Sequence, residues 1–286
     1  MNSQVDEFRE LREVWRRIVL GRWWVLALTA ISAAGFGGIA LVIPPKYVAS
    51  AVLAPVSSRL RPEAGQGGLG GLSGIASLVG VNIGGAGAAT EEALAVLRSR
   101  QFTEQFIADR GLLPVLFPDK WDQAAKGWKS PLEDKHPTLG QGYKKFEKDI
   151  RSIDRDVKSG LVTVSVTWTD RVMAADWVND LVARLNKEMR SRDLLQSQER
   201  IGFLTEELAK TEEIGVRDSI NKLIESEIKQ RMLANVNQEY VFRVVDQAVP
   251  ADPKDVAWPR KSLFLLIGAV IGFVLGTFIA LIRYSR

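Results

Sequence analysis

Three groups of residues in this 286-residue chain have types that could do chemistry. The acids at Glu91-Glu92, Glu206-Glu207 and Glu212-Glu213 are paired in sequence, and paired carboxylates are the usual means of general acid–base work. Adjacent residues on a helix do not face each other, so none of these pairs is set to act on one substrate. His136 is the one histidine and there is no cysteine. A disulfide, a thiolate metal site, a cysteine nucleophile and a histidine pair are therefore excluded. His136 lies among Pro114, Pro118, Pro131 and Pro137 and reads as an exposed loop residue, not a ligand. Gly65 to Ala89 has ten glycines in 25 residues, a composition that could cradle phosphate. It lacks the GxxxxGK[ST] pattern and is not held tightly between a strand and a helix, so it reads as a mobile or irregular surface loop. The expectation is a protein that is not an enzyme, with no catalytic residues, no cofactor and no bound metal.

The elements that would position any working part begin at the two ends. Trp23 to Ile43 and Ser262 to Ile282 are each 21 residues without a charge. A helix of that length rises about 32 Å, close to the roughly 30 Å hydrocarbon core. The first run is too long for the apolar part of a signal peptide, and Ile43-Pro44-Pro45-Lys46 is no small-residue cleavage site, so it is read as a retained span. Arg9, Arg12, Arg16, Arg17 and Arg22 precede it and only Lys46 follows closely, which puts the N-terminus in the cytoplasm. Two crossings return the C-terminus there, with Arg283 and Arg286. Arg260 and Lys261 oppose the rule, but a loop of about 218 residues crosses largely regardless of charge. The net charge of +4 and pI of 9.3 leave about +1 for the middle once both ends are counted, which is not the basic face of a nucleic-acid binder.

The second span carries Gly268, Gly272 and Gly276 on one face, where another helix can approach closely, within or between chains. Ala30, Ala34 and Gly38 form a similar row in the first. Pro250, Pro253 and Pro259 precede the second span and form an elbow, or a stiff linker, that sets its angle of approach.

The middle alternates strand and helix patterns. Tyr47 to Val56 is β-branched and partly alternating, so a strand. Thr90-Glu91-Glu92 opens a helix, with Ala93, Leu94, Leu97, Phe102, Phe106 and Ile107 on its apolar face and Gly111 at its end. Leu112 to Pro137 is loop-like, and residues 142–149 suggest a short helix. Ile150 to Asp156 and Leu161 to Trp168 flank Lys158-Ser159-Gly160 as a hairpin, with Val162, Val164 and Val166 on one face. Thr169-Asp170 caps a long helix in which Trp177, Val178, Leu181, Val182 and Leu185 face the sheet. From Asn186 to Arg200 that helix turns polar, then resumes at Ile201, Leu204 and Leu208. Gly215 marks a turn, and Val216 to Val236 returns through Ile220, Leu223, Ile224, Ile228 and Leu233. The pair forms a stalk whose charged surface is either solvated or an oligomer interface. Val241 to Val249 is a final strand.

This layout resembles the polysaccharide co-polymerases, the Wzz-type chain-length determinants. Tyr47 to Val52 resembles the strand after their first span. Glu92 to Phe117 is similar to their first outer helix, with its Leu-x-Ser-Arg-x-Phe core at Leu97 to Phe102. Leu161 to Asn186, Met232 to Val249, and Pro250 to Gly276 with Trp258-Pro259-Arg260-Lys261 resemble the later strand and long helix, the returning helix and last strand, and the proline-rich approach to a glycine-containing span. The central loop is short for the family, so a shorter stalk is expected. No segment after Ile282 resembles the tyrosine-kinase half of one branch, and there is no P-loop, so kinase activity is not expected.

The resemblance implies a membrane protein of α+β class, two transmembrane helices flanking an extracytoplasmic α/β domain with a long helical stalk. The expected division is 1–22 cytoplasmic, 23–43 transmembrane, 44–261 periplasmic with a stalk over about 170–237, 262–282 transmembrane and 283–286 cytoplasmic, in a bacterial inner membrane. It implies a ring-like homo-oligomer that sets the chain length of a surface polysaccharide (O-antigen, as in lipopolysaccharide, capsule or exopolysaccharide). It would act on the membrane polymerase and its lipid-linked polysaccharide, with no nucleic-acid partner. The alternatives are an adaptor of a polysaccharide export complex and an activator of a separate tyrosine kinase.

Overall fold

The computed structural model describes residues 22–56, 86–236 and 239–283, in two compact units. One comprises residues up to Tyr47 together with those from Asp252 onward, and the other is Val48–Ala251. The glycine-rich loop falls almost wholly outside the described residues.

The first unit is a pair of apolar helices, α1 (Arg22–Val42) and, at the far end of the chain, α8 (Lys261–Arg283). Both are long and apolar enough to cross a membrane. Their two threonine hydroxyls are satisfied internally: Thr29 donates to the Val25 carbonyl at 2.7 Å and Thr277 to that of Val274 at 2.8 Å. Where α1 ends and α8 begins, the backbone is tied by an antiparallel bridge. Lys46 N–H donates to the Trp258 carbonyl at 2.8 Å and Ala257 N–H to that of Lys46 at 2.9 Å.

The second unit is built on a four-stranded sheet in the order β4-β5-β1-β6, from β1 (Tyr47–Pro55), β4 (Arg151–Arg155), β5 (Val162–Trp168) and β6 (Phe242–Asp246). β4 and β5 pair antiparallel with Ile153 opposite Val164, around a turn where Gly160 takes a φ of +71° that a side chain would strain. β1 pairs antiparallel with β6, with an irregularity between Val52 and Leu53. Alternation puts Val162, Val164 and Val166 of β5 and Ala49, Ala51 and Leu53 of β1 in the core.

Helices cover that apolar face. The first half of α6 (Arg171–Lys210) buries Trp177, Val178, Leu181, Val182 and Leu185, as the helical spacing requires. Asp170 caps it, accepting from Val172 N–H at 2.8 Å and Met173 N–H at 3.1 Å. Beside it lie α2 (Ala86–Arg98), with Leu94 and Leu97 buried, and α3 (Arg100–Asp109), with Phe106 and Ile107 buried. Beyond Met189, α6 turns from core to stalk. Its 40 residues make about 60 Å of helix, and α7 (Ile214–Val236) packs along its distal part.

Four local expectations need correction. Thr90 is not a helix cap: it lies inside α2 and is buried, because the preceding Ala-rich residues extend the helix back to Ala86. The single outer helix is two, broken at Ser99. The 112–137 stretch is not all loop, but carries a one-turn helix α4 (Leu113–Leu116) and a small hairpin, β2 (Trp121–Asp122) with β3 (Gly127–Trp128). It leads into α5 (Leu139–Lys145), which runs on as a π-turn through Ile150. Gly215 does not form the stalk's turn: residues 211–213 do, and Gly215 is already in α7.

Candidate functional site

The three glycines of α8 pack against α1 of the same chain. A Cβ on Gly268 would lie 2.8 Å from Phe36 Cβ and 2.9 Å from the Ser32 carbonyl oxygen. One on Gly272 would lie 2.7 Å from both the Leu28 carbonyl oxygen and Thr29 Cα, and one on Gly276 would lie 2.8 Å from Val25 Cα. Only a residue without a Cβ allows backbones this close. Successive glycines meet successively earlier turns of α1, so the helices run antiparallel. The face they meet is Val25, Leu28/Thr29, Ser32/Ala33 and Phe36. Ala30, Ala34 and Gly38, the small-residue row expected to serve the same end, are exposed and point elsewhere.

Of the proline segment, Pro253 offers its carbonyl to the Tyr47 hydroxyl at 3.5 Å, and Pro259 follows a cis peptide bond two residues before α8. Pro250 lies two residues after Ala248, whose N–H and carbonyl are both held by the Asn179 side chain, at 3.1 and 2.9 Å.

The Leu97–Phe102 motif is a break between two helices, bridged by side-chain hydrogen bonds. Ser99 is extended and its hydroxyl accepts from Phe102 N–H at 3.2 Å, capping α3. The break strands the Leu97 carbonyl at the end of α2. Arg151, 7% exposed, donates to it at 2.6 Å and to Thr103 Oγ1 at 2.9 Å. Thr103 in turn donates to the Ser99 carbonyl at 2.9 Å. Burial pulls the Arg151 pKa down, while Glu147 and Tyr143 push it up. Arg151→Met should therefore destabilise the domain by about 1–3 kcal/mol, the usual penalty for a buried carbonyl left unpaired. Thermal melting of the full chain in detergent checks this, and an unchanged melting temperature would remove Arg151 from this bridging role.

A second polar staple was not foreseen. Asn186, expected to begin the polar stretch, is 5% exposed and satisfies three backbone groups at the entry to the last strand. Its Oδ1 accepts from Val241 N–H and Phe242 N–H, both at 3.0 Å, and its Nδ2 donates to the Phe242 carbonyl at 2.9 Å. The available signal was the spacing of Asn179 and Asn186, two helical turns apart on the edge of the apolar face.

In the stalk, Glu227 of α7 accepts from Ser197 Oγ at 3.0 Å and from Arg200 Nε and NH2 at 3.0 and 3.1 Å. Ile201, Leu204 and Leu208 are half-buried along the seam. A two-helix pair covers only a narrow stripe, however, and Leu223 and Ile228, expected to face inward, stay 55% and 43% exposed, with Leu195 and Phe203 also outside.

The residues first considered for chemistry are scattered. Glu91 pairs with Arg155, Glu206 with Lys210 at 2.8 Å, and Glu212 and Glu213 are exposed at the stalk's turn. His136 corrects its expectation: it is half-buried, its ring 5.7 Å from that of Trp128, with Nε2 2.9 Å from the Ser130 carbonyl. Among the described residues, no cluster of three or more His, Cys, Asp or Glu is placed to hold a metal ion.

Residues 7–110 match the family described as Wzz, chain length determinant protein, so the resemblance is borne out over that segment. No curated protein matches the chain. Among solved structures, a full-length bacterial polysaccharide co-polymerase is similar at 14% identity and a TM-score of 0.40, covering 95% of this chain and 96% of that one. A fragment of WzzB, the polysaccharide co-polymerase of Salmonella Typhimurium, is similar at 15% identity and a TM-score of 0.30, covering 73% of this chain and 98% of that one. At these scores the weight rests on the family match.

Proposed function

We propose that this chain, with its Wzz-type segment at residues 7–110, regulates the chain length of a bacterial surface polysaccharide as a non-catalytic scaffold on the membrane polymerase. The family match is the observation that carries this reading. α1 and α8 are the two spans of the inner membrane, both termini are cytoplasmic, and the Val48–Ala251 unit is periplasmic. Apolar side chains directed outward along both helices support the spans: Ile31 and Leu41 of α1 are 72% and 70% exposed, and Leu266 and Phe278 of α8 are 61% and 62% exposed, a surface that lipid accommodates and water does not.

The working assembly is a ring-like homo-oligomer. The exposed Leu195, Phe203, Leu223 and Ile228 of the stalk support this, since apolar residues outside a two-helix seam are covered by neighbouring stalks. The Gly268/Gly272/Gly276 face holds the spans of one subunit together. Pro250, Pro253 and Pro259 shape the approach to the second span. The scaffold engages the polymerase and its growing lipid-linked chain, and the dispersal of the acids supports a role without bond chemistry.

The direct test is deletion of the gene and electrophoresis of the surface polysaccharide. The expected result is loss of the modal chain length, with restoration by the gene on a plasmid. An unchanged length distribution overturns the reading.

A further inference from the structure

We propose that the cleft around the β2–β3 hairpin is a saccharide-binding site that takes a short glycan segment carrying acidic groups. The ligand class rests on the polysaccharide reading above, and the site rests on its own geometry. Trp121 lies opposite Trp128 in the hairpin, their rings 5.0 Å apart and nearly perpendicular at 81°. The turn between them is fixed by Asp122, whose Oδ1 accepts from Ala124 N–H at 2.9 Å and Ala125 N–H at 3.1 Å. Trp128 is thus braced by one neighbour, and the His136 ring, tilted by 31°, extends it into an aromatic wall.

Trp128 and His136 line an open cleft of about 410 Å³, within the roughly 300–1,000 Å³ common for small-ligand sites. Around it stand Lys120, Lys129, Lys135 and Gln141, with Asp119 and Asp134. None of these six side chains makes a hydrogen bond or a salt bridge to a described residue, although Lys120 Nζ lies 6.0 Å over the Phe117 ring and Lys129 attracts the Asp122 carboxylate of the turn. Elsewhere in the same unit, charges are used: Arg184 bonds Asp109 at 2.7 Å and Asp180 at 2.9 Å, and Arg100 bonds Glu104 at 2.8 Å.

A sugar ring matches this arrangement. Its C–H face packs on an aromatic surface, and its rim of hydroxyls needs both donors and acceptors, which lysine, glutamine and aspartate supply. Three ammonium groups against two carboxylates favour a sugar with an acidic group. A buried apolar ligand would leave these polar groups desolvated without partners, at a cost the cleft gives no means to offset.

The test uses the full-length protein in nanodiscs. It is titrated calorimetrically with oligosaccharides cut from the host's own purified surface polysaccharide, and with maltohexaose as a neutral comparison. Saturable binding of the host fragments is expected, with maltohexaose about tenfold weaker or more. Trp128→Ala and the double variant Lys120→Ala/Lys129→Ala should each weaken binding about tenfold or more. Because Trp128→Ala also removes a packing partner of Trp121, the lysine variant is the decisive arm, and its melting curve should match that of the wild type. No binding by the wild type, or undiminished binding by the lysine variant, overturns the site. Equal binding of maltohexaose overturns the acidic assignment. If gene deletion alters chain length while the wild type fails to bind, the cleft falls and the chain-length reading stands. If deletion leaves chain length unchanged, that reading falls whatever the cleft binds.

Discussion

Gly272→Ala is expected to destabilise the paired apolar helices by about 1–3 kcal/mol, the usual cost of overpacking, and Gly272→Leu to separate them. In the interior of an isolated helix the same change to alanine gains roughly 0.5–1 kcal/mol, so the expected sign is the reverse of the intrinsic one. The reason is what the new Cβ meets. At 2.7 Å from the Leu28 carbonyl oxygen and from Thr29 Cα, it strikes backbone, which cannot rotate aside. Gly35→Ala and Gly38→Ala are the controls, because nothing lies within 4 Å of a Cβ at either position. They should be neutral or slightly stabilising. Thermal melting of the four variants in one detergent decides the matter. A Gly272→Ala protein that melts at or above the wild type would refute the close approach. On the chain-length reading, Gly272→Leu should also abolish the modal polysaccharide length in cells, while Gly35→Ala leaves it intact.

Asn186→Ala should cost about 3 kcal/mol or more, since each buried backbone group left without a partner costs about 1–3 kcal/mol and three are orphaned together: the N–H groups of Val241 and Phe242 and the Phe242 carbonyl. Asn186→Leu restores the lost volume but no hydrogen bond, so it should rescue little. Asn179→Ala breaks the two equivalent bonds to Ala248 at a half-buried position where water can substitute, and should cost less. Urea unfolding of the full chain in micelles, followed by tryptophan fluorescence, separates these cases. An Asn186→Ala midpoint no lower than that of Asn179→Ala would show that the staple carries no special weight.

The elements that could be read from the sequence are those in which one face is buried along a regular period. The alternation of Val162, Val164 and Val166 places β5, and the spacing of Trp177 to Leu185 places the sheet-facing part of α6, because burial of a single face writes its period directly into residue types. The misreadings share a different origin. Thr90 looks like a cap but is buried inside a helix. Asn186 looks like the start of a solvated stretch but closes the last strand. His136 looks like an exposed loop residue but is half-buried in its loop, beside the Trp128 ring. For Asn186 and His136 the polar side chain is satisfied by backbone groups that residue type alone does not specify. The Ser99 break is similar, since it is tolerable only because Arg151, 54 residues from Leu97, supplies the missing donor.

By itself the sequence determined the two long apolar runs, the positive flank before the first, the glycine face of the second, and the exclusion of cysteine and paired-histidine chemistry. These are properties of single segments, and composition and period suffice for them. Only the tertiary structure decided that the glycine face meets Val25 to Phe36 of the same chain and not the row at Ala30, Ala34 and Gly38. It also decided that two tryptophans and a histidine with no shared period form one wall. A helix carries several faces that pattern alone leaves equivalent. Which of them is used depends on the rotation and register of its partner, a property of the pair that neither sequence segment contains.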